Sequence, residues 1–258
     1  MSKLNNLTDF LTSLADVFRS KLGTTDLINS QDFECKVDEV YSKGYTSREK
    51  DFWDSYQNYG NRTKYEYAFY GEGWNDVTLV PRYSMKPTDA SRMFAYSQLN
   101  CDLPSYLTEL GITLDFSKAA ATDRCFAYAY FTHIGEVNTT SAHNLRYMFY
   151  RCEQLETIDK LILKSDGTQN LGYAFNHCPN LKNITVEGAI GGTTNFDIAQ
   201  STMLTKESIT SIINAVSTTQ TVKITLSRQA VISAFGSVTN TEWLTLKNTR
   251  PKCTVALA

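Results

Sequence analysis

Two stretches of the chain follow one template. Residues Asn144 to Ile158 read NLRYMFYRCEQLETI, and residues Asn170 to Ile184 read NLGYAFNHCPNLKNI. Seven of the fifteen positions are identical (N-L-x-Y-x-F-x-x-C-x-x-L-x-x-I), at an offset of 26 residues. Looser copies precede them: DASRMFAYSQL carries Phe94 and Leu99, and ATDRCFAYAYFTHI carries Phe126, Phe131 and Ile134. The phenylalanines Phe94, Phe126, Phe149 and Phe175 are spaced 32, 23 and 26 residues apart. A repeat of this length with variable insertions is a solenoid period. One such unit cannot bury its own hydrophobic face, so stacked units must share a core.

Short alternating runs (ITLDF, LETIDKLIL, LKNITV) lie between the motifs and are too short for helices. Each repeat therefore reads as a turn or short helical segment carrying Phe, followed by a strand. The expected repeat core is Phe94, Phe126, Phe149, Cys152, Leu155, Ile158, Phe175, Cys178, Leu181 and Ile184. Cys152 and Cys178 should occupy equivalent narrow sites in neighbouring coils. Six cysteines (35, 101, 125, 152, 178, 253) include no C-x-x-C pair, and they read as small buried hydrophobes.

The flanks differ from the repeats. Leu4, Leu7, Leu11, Leu14 and Phe18 are spaced by three and four residues, the a/d pattern of a coiled coil, over about two and a half heptads. Gly23 ends that helix, and Ser30 opens a second one with the stripe Phe33, Val37, Val40 and Tyr41. The pair forms a helical hairpin. Its first helix either self-associates, a trimer being favoured, or packs on the second, and the period alone does not decide. A third helix should run from Thr46 or Ser47 to Gly60, followed by a strand, turn and strand through Val80. Beyond residue 200, helices are expected after Thr205, Ser227 and near TNTEWLTLKN, with strands at TVKITLS and CTVAL. The fold class is thus α/β. Residues 1–44 form a docking or oligomerisation element, 45–84 an N-terminal cap, 85–200 the solenoid and 201–258 a C-terminal α/β cap.

The Y-x-F-x-x-C-x-x-L-x-x-I units resemble the leucine-rich repeats of the BspA-like type, over roughly residues 85 to 200. The copies at Phe94 and Phe126 depart from that pattern, since neither has Cys at the matching place. The flanking segments DFWDSYQNYGNRTKYEYAFYGEGW and EWLTLKNTRPKCTVALA look like those framing such repeats in proteins of phages and prophages of gut bacteria. The resemblance implies a short leucine-rich-repeat solenoid with an N-terminal helical hairpin and α/β caps. It also implies a non-enzymatic recognition module of a virion, in a tail, baseplate or fibre, that contacts the bacterial surface.

The expected partners are a bacterial surface glycan or protein, other virion proteins and further copies of the chain. No cofactor or metal is expected. The net charge of −2 argues against nucleic acid. No run approaches the ~18 apolar residues of a membrane span, and the first residues lack the apolar stretch of a signal peptide. Synthesis in the host cytoplasm and residence in the virion follow as expectations. The expected binding surface comprises Tyr96, Tyr128, Tyr130, Tyr150, Arg151 and Asn176, positions the template leaves free, with Tyr70 and Trp74 on the cap, because Tyr and Trp anchor contacts at low entropic cost.

Three alternatives stand beside this reading: a cell-surface adhesin, a structural virion decoration and a polysaccharide hydrolase. There is no G-x-S-x-G, and the EGAIGG stretch lacks both the phosphate-loop spacing and its Lys. Asp51, Asp54, Glu72 and Asp76 lie near Trp53 and Trp74, an arrangement that suits a sugar-cleaving site or a structural cap equally, and the cap is preferred.

Overall fold

The computed structural model describes residues 84–109, 113–192 and 195–258. All of them lie within one compact unit. The expected hairpin with Leu4 to Phe18, the third helix, Tyr70 and Trp74 lie outside the described residues.

The chain winds as a parallel β-solenoid of about four turns. Its strands are β1 (Ser84–Met85), β2 (Thr113–Leu114), β3 (His133–Asn138), β4 (Thr157–Ile162), β5 (Asn183–Glu187), β6 (Phe196–Ile198), β7 (Val222–Leu226) and β8 (Cys253–Leu257). Among the described residues every strand pairing is parallel, in the orders β1-β2, β3-β4-β5 and β6-β7-β8. Ile134 pairs with Ile158, and Ile158 with Ile184, so the template isoleucines form one inward column. A helix, α1 (Leu103–Glu109), is inserted between β1 and β2. It accounts for the longest gap between phenylalanines.

Opposite the strands run four turn segments, 91–96, 123–128, 146–151 and 172–177. They are not helical. The second and sixth residue of each has positive φ: Arg92 and Tyr96, Arg124 and Tyr128, Tyr147 and Arg151, Tyr173 and His177. Backbone N–H groups then alternate in direction. Arg92, Phe94 and Tyr96 donate to Asp123, Cys125 and Ala127 of the next coil, whereas Met93, Ala95 and Ser97 donate three residues back. The same alternation recurs in the next two segments, with Phe126 donating to Met148 and Phe149 to Ala174. The left-handed residues sit at the switch: Arg92 and Tyr96 donate their own N–H groups across the coils, and the residue after each donates three residues back.

Each fixed position of the template has a physical role here. Asn144 and Asn170 accept from the N–H two residues on (Arg146 at 3.1 Å, Gly172 at 3.0 Å), closing an Asx turn, and Asp89 does the same for Ser91. The phenylalanines stack in order: Phe94 on Phe126 (5.3 Å, 0°), Phe126 on Phe149 (5.5 Å, 4°) and Phe149 on Phe175 (5.1 Å, 23°). Each stacked pair adds about 0.5–1.5 kcal/mol beyond area burial. Cys152 and Cys178 are fully buried at equivalent positions, and their thiols donate to the carbonyls of Phe126 and Phe149, both at 3.0 Å. Leu155, Ile158, Leu181 and Ile184 complete the buried column.

After β5 the pattern changes. Helix α2 (Lys206–Asn214) starts at the Thr205 N-cap and lies along β5. Ser208 Oγ accepts from the Ile184 N–H (2.9 Å) and donates to the Lys182 carbonyl (3.0 Å). Ser211 Oγ accepts from the Val186 N–H (2.8 Å). Two hydroxyls thus stand in for the strand that β5 lacks on that side. Helices α3 (Arg228–Phe235) and α4 (Thr241–Asn248) connect β7 to β8, with N-caps Ser227 and Asn240. The glycines of EGAIGG are structural. A Cβ on Gly191 would sit 1.6 Å from the Gly167 carbonyl oxygen, so two backbones touch there.

Candidate functional site: an outward tyrosine–arginine face

The left-handed turn positions create an array on the outer face. A left-handed residue costs about 1–2 kcal/mol unless it is Gly, and Asn is the next most tolerant. None of the eight described here is Gly or Asn; they are three Arg, four Tyr and one His. The backbone demands the conformation, and large functional side chains occupy it.

The array has two columns, one on each side of the buried Phe. Arg92, Arg124, Tyr147 and Tyr173 form the first; Tyr96, Tyr128, Arg151 and His177 form the second. Chemistry exchanges between columns at the middle of the stack. Tyr96 stacks on Tyr128 (4.4 Å, 8°) and Tyr147 on Tyr173 (5.1 Å, 9°). Arg124 lies over the Tyr147 ring at 4.7 Å and Arg146 at 4.8 Å; Arg151 lies 5.8 Å from the Tyr128 centroid. These contacts hold long side chains in place and lower the entropy lost when a ligand arrives.

Between the columns, the residue after each Phe decides the relief. Ala95 and Ala127 leave a trough in the first two coils, whereas Tyr150 and Asn176 stand there in the next two. The trough is a cleft of about 310 Å³, walled by Tyr96, Tyr128, Tyr147 and Tyr150 and flanked by Arg92 and Arg124. A second cleft of about 220 Å³ lies on the other side of the Tyr96–Tyr128 stack. Tyr130, Gln98, Arg151, Glu153 and Gln154 line it. A hydrogen bond to Tyr150 keeps the Arg151 guanidinium more basic still.

Of the residues expected on a binding surface, Tyr96 (40% exposed), Tyr130 (43%) and Arg151 are exposed. Tyr128 and Tyr150 are half-buried, against the expectation of free exposure, because each is clasped by neighbouring rings. Asn176 is half-buried too, and its side-chain oxygen is buried with no hydrogen-bond partner among the described residues. Sequence reasoning missed Arg92, Arg124, Arg146, Tyr147 and Tyr173, the last being 50% exposed. Tyr147 and Tyr173 are fixed template positions, and the expected surface drew only on positions the template leaves free.

On the strand side, His133 bridges Asp102 (Nδ1 to Oδ2, 2.6 Å) and Asp159 (Nε2 to Oδ1, 2.8 Å). Burial alone would lower its pKa, but the two carboxylate hydrogen bonds outweigh that and raise it. With both ring nitrogens engaged, the imidazole is a clamp and not a base. Among the described residues, no three His, Cys, Asp or Glu are grouped to hold a metal ion, and no helix is long and apolar enough to cross a membrane. Asp51, Asp54, Glu72 and Asp76 lie outside the described residues.

No protein-family model, no curated protein and no solved structure matches this chain.

Proposed function

We propose that the chain is a non-enzymatic recognition module that binds a bacterial surface through its tyrosine–arginine face. One observation carries the reading: all eight left-handed turn positions hold Arg, Tyr or His, where backbone strain favours Gly. Residues held in strained backbone conformations cluster at functional sites. Tyr and Arg are the residues most enriched at binding hot spots. The two clefts share the Tyr96–Tyr128 stack and present exposed rings beside planar hydrogen-bonding groups.

The repeat identity is read as leucine-rich of the BspA-like type, supported by the Phe, Cys, Leu and Ile columns. Residues 201–258 are read as the solenoid's C-terminal α/β cap, supported by Ser208 and Ser211 along the β5 edge. The setting is read as a phage or prophage virion, with residues 1–44 as the docking or trimerising element; this rests on the sequence resemblance. Multivalent display would let weak sites act together.

The test uses the full chain and purified bacterial envelopes. Retention on envelopes that falls about tenfold or more in Tyr96→Ala and Tyr130→Ala, with unfolding midpoints unchanged, is the expected result. No retention, or retention indifferent to both substitutions, defeats the reading. Light scattering of the full chain, and of a chain starting at residue 45, tests the oligomer.

A further inference from the structure

The geometry points to an acidic polysaccharide as the ligand, with a hexuronic-acid residue in the cleft beside Arg92 and Arg124 and a neutral sugar in the adjoining cleft under Tyr130. This rests on the recognition reading above and names its substrate class.

The two clefts differ in chemistry. Among the described residues, the larger is lined by two guanidinium groups and four tyrosines and by no carboxylate. Asp123 pairs with Arg124 Nη1 at 3.3 Å and also accepts from Ser91 Oγ at 3.0 Å. That pairing uses one end of the Arg124 fork. A guanidinium offers five N–H donors, so donors remain on Arg124 for a second carboxylate. Two guanidiniums with nearby phenol hydroxyls form a donor-rich pocket suited to a planar anion. Tyrosine faces beside it suit the apolar side of a pyranose ring.

The smaller cleft is mixed. Arg151 donates, Glu153 accepts, and Gln98 and Gln154 do both. Neighbouring hydroxyls of a neutral sugar present that same mixture of donors and acceptors. At about 220 Å³ the cleft is smaller than the ~300–1,000 Å³ of pockets for drug-sized ligands, which leaves room for about one ring.

The clefts are contiguous. Tyr96 and Tyr128 line both, so the stacked pair forms a ridge between them. A linear glycan crossing this ridge sets consecutive sugars into alternate environments, one cationic and one neutral. A duplex or single-stranded nucleic acid would want a longer basic track, whereas the chain as a whole carries −2.

The probes are a galacturonic-acid trisaccharide and its methyl ester, titrated calorimetrically into the full-length protein. Esterification removes the charges and keeps the rings. The acid should bind about tenfold or more tightly than the ester, the usual effect of losing charge-assisted hydrogen bonds. Arg92→Gln and Arg124→Gln should each bring the acid close to the ester's affinity, while Tyr130→Ala should weaken both forms alike. Two arginine variants are used so that one failing to fold leaves the other, and unfolding midpoints verify each. Equal affinity for acid and ester, or no binding of either, overturns the inference. Envelope retention separates the two levels. Retention lost in Tyr130→Ala but untouched by Arg92→Gln and Arg124→Gln sinks the uronate assignment and spares the recognition reading. Binding of poly(glycerol phosphate) in place of the uronate does the same. Absence of all retention sinks both.

Discussion

Tyr96 and Tyr128 stack face to face on consecutive coils, with ring centroids 4.4 Å apart and planes 8° from parallel. Their backbones set this spacing, since the Tyr96 N–H donates to the Ala127 carbonyl at 2.8 Å. Both residues have positive φ. The ladder therefore aims successive outward side chains in one direction at the strand-pairing distance, which is close to ring-stacking distance. A solenoid of this kind builds an ordered aromatic surface from its backbone, and on that surface stability and function can be separated at a single residue.

The first prediction concerns Arg151, exposed at φ 57°. Arg151→Gly relieves left-handed strain of about 1–2 kcal/mol. It gives the unfolded chain extra freedom worth about 0.5–1 kcal/mol. The variant should therefore unfold at higher denaturant, by about 1 kcal/mol or less in free energy. It should also lose envelope retention, because Arg151 lines the smaller cleft. A less stable variant would show that the side chain and not the backbone dominates this position, and a variant equally well retained would remove Arg151 from the binding surface.

The cysteines give a second prediction. Burial pushes the thiols of Cys125 and Cys152 well above their ordinary range and that of Cys178 up to about 12. A buried protonated thiol is a poor nucleophile. In the native protein, iodoacetamide should label Cys101 and Cys253, which are partly exposed, and leave Cys125, Cys152 and Cys178 untouched until denaturant is added. Peptide mapping reads each site. Labelling of Cys152 at the rate of Cys253 would contradict the stacked core.

What the sequence carried, and what it did not, follows from the same ladder. Recurrent Phe149/Phe175, Cys152/Cys178, Leu155/Leu181 and Ile158/Ile184 are apolar residues at fixed offsets, and burial is the direct reading of such recurrence. The helices after Thr205 and Ser227 announced themselves by N-caps that the structure uses. Tyr147 and Tyr173 recur for a different reason. Their position must be left-handed, a demand that leaves a sequence trace only when Gly or Asn answers it. With Tyr or Arg there, the segment reads only as a turn or short helix, and nothing in the recurrence of the tyrosine says that it points outward. The cleft depended on a still quieter signal. Ala95 and Ala127 stand where the later coils carry Tyr150 and Asn176, and small residues are unremarked until neighbouring coils are superposed.

The pH dependence of stability should follow the His133 clamp. The His133 pKa is raised above its ordinary 6.5, so its contribution is complete below 6.5 and is lost as pH climbs through the raised value. Burial works to raise the Asp102 pKa, but hydrogen bonds from His133 and Ser105 overcome that and hold it below 3.8. Its contribution is present above 3.8 and is lost as pH falls through the lowered value. The unfolding midpoint should therefore be highest between these limits and should drop on going from about pH 6 to about pH 9. His133→Gln should lower the midpoint at about pH 6 and leave it nearly unchanged at about pH 9. A variant with the same drop as the parent would place the titrating group elsewhere.

The closing of β5 is the most local test of how the stack ends. Parallel strands expose a row of N–H and C=O groups at an edge, and an edge is a template for pairing with another chain. Ser208 and Ser211 are one helical turn apart on α2, so both hydroxyls face β5 together. Ser208 serves the Ile184 N–H and the Lys182 carbonyl, and Ser211 serves the Val186 N–H. Ser208 is 3% exposed, so water does not replace it readily. Ser208→Ala leaves the Ile184 N–H without a partner, while the Lys182 carbonyl keeps the Thr205 N–H, and should cost about 1–3 kcal/mol in unfolding free energy. Ser211→Ala, at a partly exposed site, should cost less. The double variant should expose enough of the strand to self-associate in concentration-dependent light scattering. Ser208→Thr keeps the hydroxyl and should recover most of the loss if the pocket takes one methyl. Recovery by Ser208→Val, which has the shape of Thr without the hydroxyl, would show that packing and not hydrogen bonding seals this edge.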